Sequence, residues 1–103
     1  MTFIYYIDGE KFTTEDNWHK IPRNNISSPN ENVPAIEELN SEYKIWYLKG
    51  QICHRLTGPA LIRPKGNKEF WLNGVYYRNI YDWLMAHPNQ DNAFQVEMLL
   101  KYT

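Results

Sequence analysis

The side chains best placed for chemistry stand together at Cys53-His54-Arg55. A thiol next to an imidazole is the raw material of a Cys/His nucleophilic pair. Neighbours along a strand point to opposite faces, however, and that geometry keeps the two groups apart. Gly58-Pro59 follows closely and breaks any ladder, because proline donates no backbone bond. The sequence therefore assigns His54 and Arg55 to the carbonyls of that irregular turn rather than to catalysis. His19, His54 and His87 lie in three separate segments without metal-ligand spacing, so no metal and no cofactor is expected. Glu37 and Glu38 are adjacent and make no catalytic dyad. The chain has no Gly-rich phosphate loop, no Gly-x-Ser-x-Gly and no His-Glu-x-x-His, and the expectation is a protein that is not an enzyme.

A second constellation interleaves cations with rings. Lys44, Arg55, Arg63, Lys65 and Lys68 alternate with Trp46, Tyr47, Phe70 and Trp71. A sheet bearing both can stack bases and neutralise phosphates. The candidate binding residues are Lys44, Trp46, Arg55, Arg63, Lys65, Lys68 and Trp71, with a nucleotide signalling molecule as one ligand class. The net charge of −1 argues against generic nucleic-acid binding as their use. That balance is uneven, with eight acids and three bases in residues 1–42 against four acids and eight bases in residues 43–103. The 16% aromatic content, including four Trp and eight Tyr, supplies a core of large rings to a chain of 103 residues. This length fits one domain. A single cysteine excludes an internal disulfide and points to a reducing, cytoplasmic setting. No apolar run approaches the ~18 residues of a membrane helix, and residues 1–6 do not read as a signal peptide.

These residues need a β-rich scaffold. Phe3 to Ile7 and Glu10 to Phe12 flank Asp8-Gly9, a type I′ hairpin signal. Thr13 or Thr14 is placed to cap a short helix through Trp18. Residues 20–42, rich in Asn, Ser and Pro, read as a polar loop, with one helical turn over Pro34 to Leu39. Tyr43 to Leu48 reads as one strand, with Tyr43, Ile45 and Tyr47 on one face and Lys44, Trp46 and Leu48 on the other. Lys49-Gly50, Pro64 to Asn67 and Asn73-Gly74 are turns between the strands Gln51 to His54, Ala60 to Arg63, Lys68 to Leu72 and Val75 to Tyr77. Ile80 to Ala86 forms a helix stopped by His87-Pro88. A second helix follows, capped by Asn89 or Asp91, in which Phe94, Met98 and Tyr102 recur at i, i+4, i+8 and Val96 and Leu100 broaden the packing face. The fold class is α+β: an antiparallel β-hairpin meander over 43–78, an N-terminal hairpin and short helix over 1–19, and two C-terminal helices over 79–103.

An internal repeat runs through this scaffold. Tyr5 to Gly9, Trp46 to Gly50 and Phe70 to Gly74 each read aromatic, aromatic, aliphatic, polar, Gly. The outer copies also place a ring three residues after the glycine (Phe12, Tyr77) and a Trp nine after it (Trp18, Trp83). Segment 43–84 resembles the short MORN-like hairpin repeats of tailed-bacteriophage and giant-virus proteins. The match lies in Trp46-Tyr47-Leu48-Lys49-Gly50, His54-Arg55-Leu56-Thr57-Gly58-Pro59-Ala60 and Phe70-Trp71-Leu72-Asn73-Gly74. It departs at Thr57, where Asp is usual, and at Lys49, where Asn or Asp is usual, and it leaves 13–42 unmatched. The resemblance implies a viral origin and transfers no catalytic residue. By that analogy the expected function is non-enzymatic: an accessory protein in the host cytoplasm that binds a host protein and inhibits an immune, anti-phage system. Two other readings stand beside it, sequestration of a nucleotide signal and a structural role by homo-oligomerisation through sheet edges.

Overall fold

A computed structural model of the chain describes residues 2–15 and 23–103. Nine strands are described: β1 Phe3–Ile7, β2 Glu10–Thr14, β3 Ile36–Glu38, β4 Lys44–Ile45, β5 Tyr47–Leu48, β6 Ile52–Cys53, β7 Leu61–Ile62, β8 Lys68–Leu72 and β9 Val75–Tyr77. Two helices follow, α1 Ile80–Ala86 and α2 Asn92–Tyr102. Seven strands form one antiparallel sheet in the order β2-β1-β3-β4-β7-β8-β9, while β5 and β6 make a separate hairpin. The expected α+β meander with two C-terminal helices is the observed architecture.

The turns explain why the hairpins close where they do. Asp8 and Gly9 have φ of 51° and 81°, and Asn73 and Gly74 have 49° and 81°. A type I′ turn needs positive φ at both central residues, and its twist matches that of the flanking strands. The middle repeat differs. Leu48 pairs with Ile52, so Lys49, Gly50 and Gln51 form a three-residue loop with positive φ at Gly50 and Gln51.

The strand register sorts side chains onto two faces. Tyr5, Ile36, Ile45, Leu61 and Glu69 follow one another across β1, β3, β4, β7 and β8. Ile4, Glu37, Lys44, Ile62 and Lys68 form the row on the opposite face. Phe70 and Leu72 share the second face, and the helices cover them there. The core at that place comprises Phe70, Leu72, Ile80, Trp83, Leu84 and Met98, with Phe94 and Tyr102 packed against it. A second core on the first face joins Phe3, Ile26, Ala35 and Ile36, with Tyr5 and Tyr47 alongside.

Thr13 and Thr14 belong to β2, where their backbone pairs with Ile4 and Phe3 of β1. Trp18, the expected end of the short helix after them, lies outside the described residues. Three expectations from the sequence are corrected. Pro34 to Leu39 is not a helical turn: Ile36–Glu38 is an inner strand between β1 and β4, and Ala35 and Ile36 are fully buried. Without β3 the seven-stranded sheet would be split, so tertiary pairing overrides the local signal from proline and the acids. The stretch 26–38, read as a polar loop, thus supplies core and sheet. Tyr43 to Leu48 is also not one strand. It breaks at Trp46, whose N–H donates to the Ala60 carbonyl (2.7 Å) and whose carbonyl accepts from the His54 N–H (3.2 Å). Finally, Val96 and Leu100 do not broaden the packing face of α2; they are 54% and 80% exposed. Leu100 lies about 200° around the helix from Met98, outside a ~100° core stripe.

Candidate functional site

The His54-Arg55 segment is a structural hub. Arg55 is only 9% exposed. Its guanidinium carbon sits 3.8 Å from the ring centroid of Trp46, a cation–π stack. Its Nε donates to the Glu31 carbonyl (3.1 Å) and its Nη1 to the Pro59 carbonyl (3.2 Å). The Trp46 indole also donates to the Glu31 carbonyl (3.0 Å). The Glu31 carboxylate accepts the backbone N–H of Leu56 (2.6 Å) and of Thr57 (3.0 Å). Burial pulls the Arg55 pKa below its ordinary value, opposed by Tyr102 and Glu31. Trp46 and Arg55, two of the candidate ligand-binding residues, are thus committed to holding the loop at Glu31 against the sheet.

The same hub explains Gly58. A Cβ there would meet the Tyr102 hydroxyl, Tyr102 Cζ at 2.8 Å and Arg55 Nη1 at 3.0 Å. Tyr102 donates to the Thr57 carbonyl at 3.2 Å, so glycine is what lets the end of α2 close over this turn. Gly58→Ala is expected to cost about 1–3 kcal/mol by overpacking. In a double-mutant cycle with Tyr102→Ala the two losses should not add, since removing the ring removes the clash. Additive losses in urea unfolding would refute the contact.

The expectation for His54 needs correction, because its ring does not reach the Gly58-Pro59 carbonyls. Its Nδ1 accepts the Asn73 N–H at 2.9 Å, and the Cys53 carbonyl accepts the Gly74 N–H at 2.9 Å, so β6 caps the Asn-Gly turn. Burial lowers the His54 pKa; Glu31 raises it and His87 lowers it further. Only a neutral Nδ1 can accept, and protonation breaks that bond. With the folded-state pKa depressed, the His54 contribution is complete above the unfolded value of about 6.5 and fades as pH falls through the lower folded one. Wild-type stability should accordingly drop more between pH 7.5 and pH 5 than that of His54→Gln. Equal pH dependence in paired denaturation curves would remove His54 as the cause.

Rings and charged groups meet at a different place. On the sheet face opposite the helices, an open cleft of about 330 Å³ is walled by Tyr43, Tyr47 and Trp71 and floored by Ile45, Leu61 and Cys53. The register places Ile45, Leu61 and Glu69 side by side there; Tyr43 and Arg63 lie just beyond the ends of β4 and β7, and Trp71 two residues along β8. The β5–β6 hairpin brings Tyr47 and Cys53 across from them as direct partners. Three of the polar groups of the cleft are bonded to one another through Glu69. Arg63 Nε donates to Glu69 Oε2 (3.3 Å), and the Trp71 indole donates to Glu69 Oε1 (3.1 Å). Gln51 donates to the Asn24 side chain (3.0 Å). Burial, with Glu69 adding to it, pushes the Cys53 thiol up to about 12. Burial likewise raises Tyr43, with Arg63 opposing and Cys53 and Glu69 adding to the rise.

Of the seven candidate residues, only Arg63 and Trp71 line this cleft. Lys44 and Lys68 flank Ile62 on the opposite face, in a shallow hollow with Ser41 and Glu42. Lys65 is exposed in the Pro64–Gly66 turn, at φ 72°. The basic face expected from the sequence is therefore not gathered, and Arg63 alone remains to meet a phosphate at the rings. Sequence reasoning missed Tyr43, Tyr47 and Glu69 as site residues and weighed Cys53 only as a nucleophile. The alternation of Tyr43, Ile45 and Tyr47 was the one signal that pointed to the cleft wall. A second hollow, of about 380 Å³, lies between the Asn-Gly turn and the end of α1, lined by Leu56, Leu72, Val75 and Tyr77, with His54 at its edge. Among the described residues no group of three or more His, Cys, Asp or Glu side chains is disposed to hold a metal ion. No helix among them is long and apolar enough to cross a membrane. No protein-family model, curated protein or solved structure matches this chain.

Proposed function

We propose that the protein is a non-enzymatic recognition module, a virus-encoded accessory protein that docks on a host protein, with inhibition of a host immune factor as the outcome. The observation that carries this reading is the cleft at Tyr43, Tyr47 and Trp71: three partly exposed rings around an Arg63–Glu69 pair already bonded within the fold. Rings held on strands, as Tyr47 and Trp71 are, or at a strand's end, as Tyr43 is, give large contact area at low entropic cost, which is the property of a binding surface. The thiol in the floor, with its pKa near 12, stays protonated at neutral pH and is a poor nucleophile. The viral origin and the host target rest on the resemblance carried by His54 to Ala60.

The test is capture from host lysate by the intact protein. Wild type should retain one dominant partner, Trp71→Ala should lose it, and Lys68→Ala on the opposite face should keep it. Absence of a specific partner, or capture indifferent to Trp71, would sink the reading.

A further inference from the structure

We infer that the cleft takes a proline-rich segment in the polyproline II conformation; this rests on the recognition reading above and names the chemistry of the partner. Charge is the first reason. Arg63 and Glu69 are the charged groups lining the cleft, and they neutralise one another at 3.3 Å. An anion brought to Arg63 meets the Glu69 carboxylate, and a quaternary ammonium brought to the rings meets the Arg63 guanidinium. The cleft is complementary to an uncharged ring.

Hydrogen bonding is the second reason. Sugars and nucleobases are chosen by donors and acceptors along their edges. Here both Glu69 oxygens, the Arg63 Nε–H, the Trp71 indole N–H and the Gln51 Nε2 are engaged within the fold. Breaking those bonds to serve a polar ligand costs about what the new bonds return. A polyproline II segment asks for little of this. It has no internal hydrogen bonds, its backbone stays solvated, and its pyrrolidine rings pack against aromatic walls. It is also ordered before it binds, which cuts the entropic cost that a shallow site cannot offset.

Shape is the third reason. A cleft of about 330 Å³ is at the small end of ligand pockets, which run from about 300 to 1,000 Å³. It is open along the sheet instead of enclosed, so it suits one or two rings of a passing chain better than a whole small molecule. Tyr43 stands at the wall with its hydroxyl protonated at neutral pH, able to donate to a peptide carbonyl.

The experiment titrates a synthetic decaproline peptide into the intact protein and follows the four tryptophan indole N–H signals by NMR. The Trp71 signal should move selectively and saturate. Affinity should fall at least about tenfold in Trp71→Ala and also in Tyr43→Ser, which keeps the reporter ring, and stay within about twofold in Lys44→Ala. A motionless Trp71 signal, affinity unchanged by both cleft variants, or saturation by a nucleoside monophosphate or by tetramethylammonium with decaproline inert would each overturn the inference. If decaproline is inert while Trp71-dependent capture of a host protein persists, the proline assignment falls alone. If capture itself fails, the recognition reading falls with it.

Discussion

Replacing Trp83 with alanine is expected to lower the free energy of unfolding by about 3–5 kcal/mol, the largest loss any single substitution here should produce. Trp83 has no exposed surface. Its ring centroid lies 5.2 Å from Phe70 on β8, 4.9 Å from His87 at the end of α1 and 6.4 Å from Phe94 on α2. One side chain thus joins the sheet to both helices. α1 has only seven residues, too few to be stable by itself in water, so its helicity depends on this docking. Trp83→Phe separates packing from polarity. The indole N–H is buried without a hydrogen-bond partner among the described residues, and phenylalanine deletes that donor while keeping a ring against Phe70. An unpartnered buried donor costs about 1–3 kcal/mol, which offsets much of the volume lost, so Trp83→Phe should cost roughly 1 kcal/mol or less. Urea unfolding of both variants checks this. A Phe variant as damaged as the Ala variant would show that the donor carries no penalty.

Arg55→Ala should cost about 3 kcal/mol, although the position lies in a motif that looks chemical in the sequence. The substitution strips the stack from Trp46 and leaves the Pro59 carbonyl without its Arg55 donor; the Glu31 carbonyl keeps the Trp46 indole. It also removes the buried cation near the Glu31 carboxylate, which anchors the N–H groups of Leu56 and Thr57. Arg55→Lys should recover less than half of the loss. An ammonium cannot lie flat on an indole and donate to two divergent carbonyls at once. The cost should appear as a lower urea midpoint with binding at the cleft preserved under native conditions. A destabilisation below about 1 kcal/mol, or a selective loss of binding in a fully folded Arg55→Ala protein, would return Arg55 to the list of ligand-contacting residues.

The contrast between Arg55 and Trp71 marks the limit of what residue type reveals. Both stand in cation–aromatic runs, and both were candidates for the same reason. The fold turns one inward onto Trp46 and leaves the other half-exposed on a cleft wall. Glu31 is the sharper case. It stands in an Asn- and Pro-rich stretch that gives it no role, yet its carboxylate bonds the backbone 25 and 26 residues away. No local pattern encodes that contact, because it depends on β3 entering the sheet and carrying the loop before it to the Gly58 turn.

The chain by itself determined what a few neighbouring residues can settle. Asp8-Gly9 and Asn73-Gly74 set their own dihedrals and therefore closed their hairpins as read. Lys68–Leu72 fell between the turns at Pro64 to Asn67 and Asn73-Gly74, and Ile80–Ala86 ended where the His87-Pro88 stop put it. The face of α2 that packs followed from the i, i+4, i+8 spacing of Phe94, Met98 and Tyr102. Only the tertiary structure decided that Ile36 is a strand, that the Trp46 strand breaks, that Arg55 stacks on Trp46 and reaches the Glu31 carbonyl, and that Tyr43, Tyr47 and Trp71 share one cleft. Each of those outcomes rests on which strand lies beside which, and in what register. Pairing energies are collected only after distant segments close, so a strand signal that is weak locally, as at Ile36, is settled by its neighbours in the sheet.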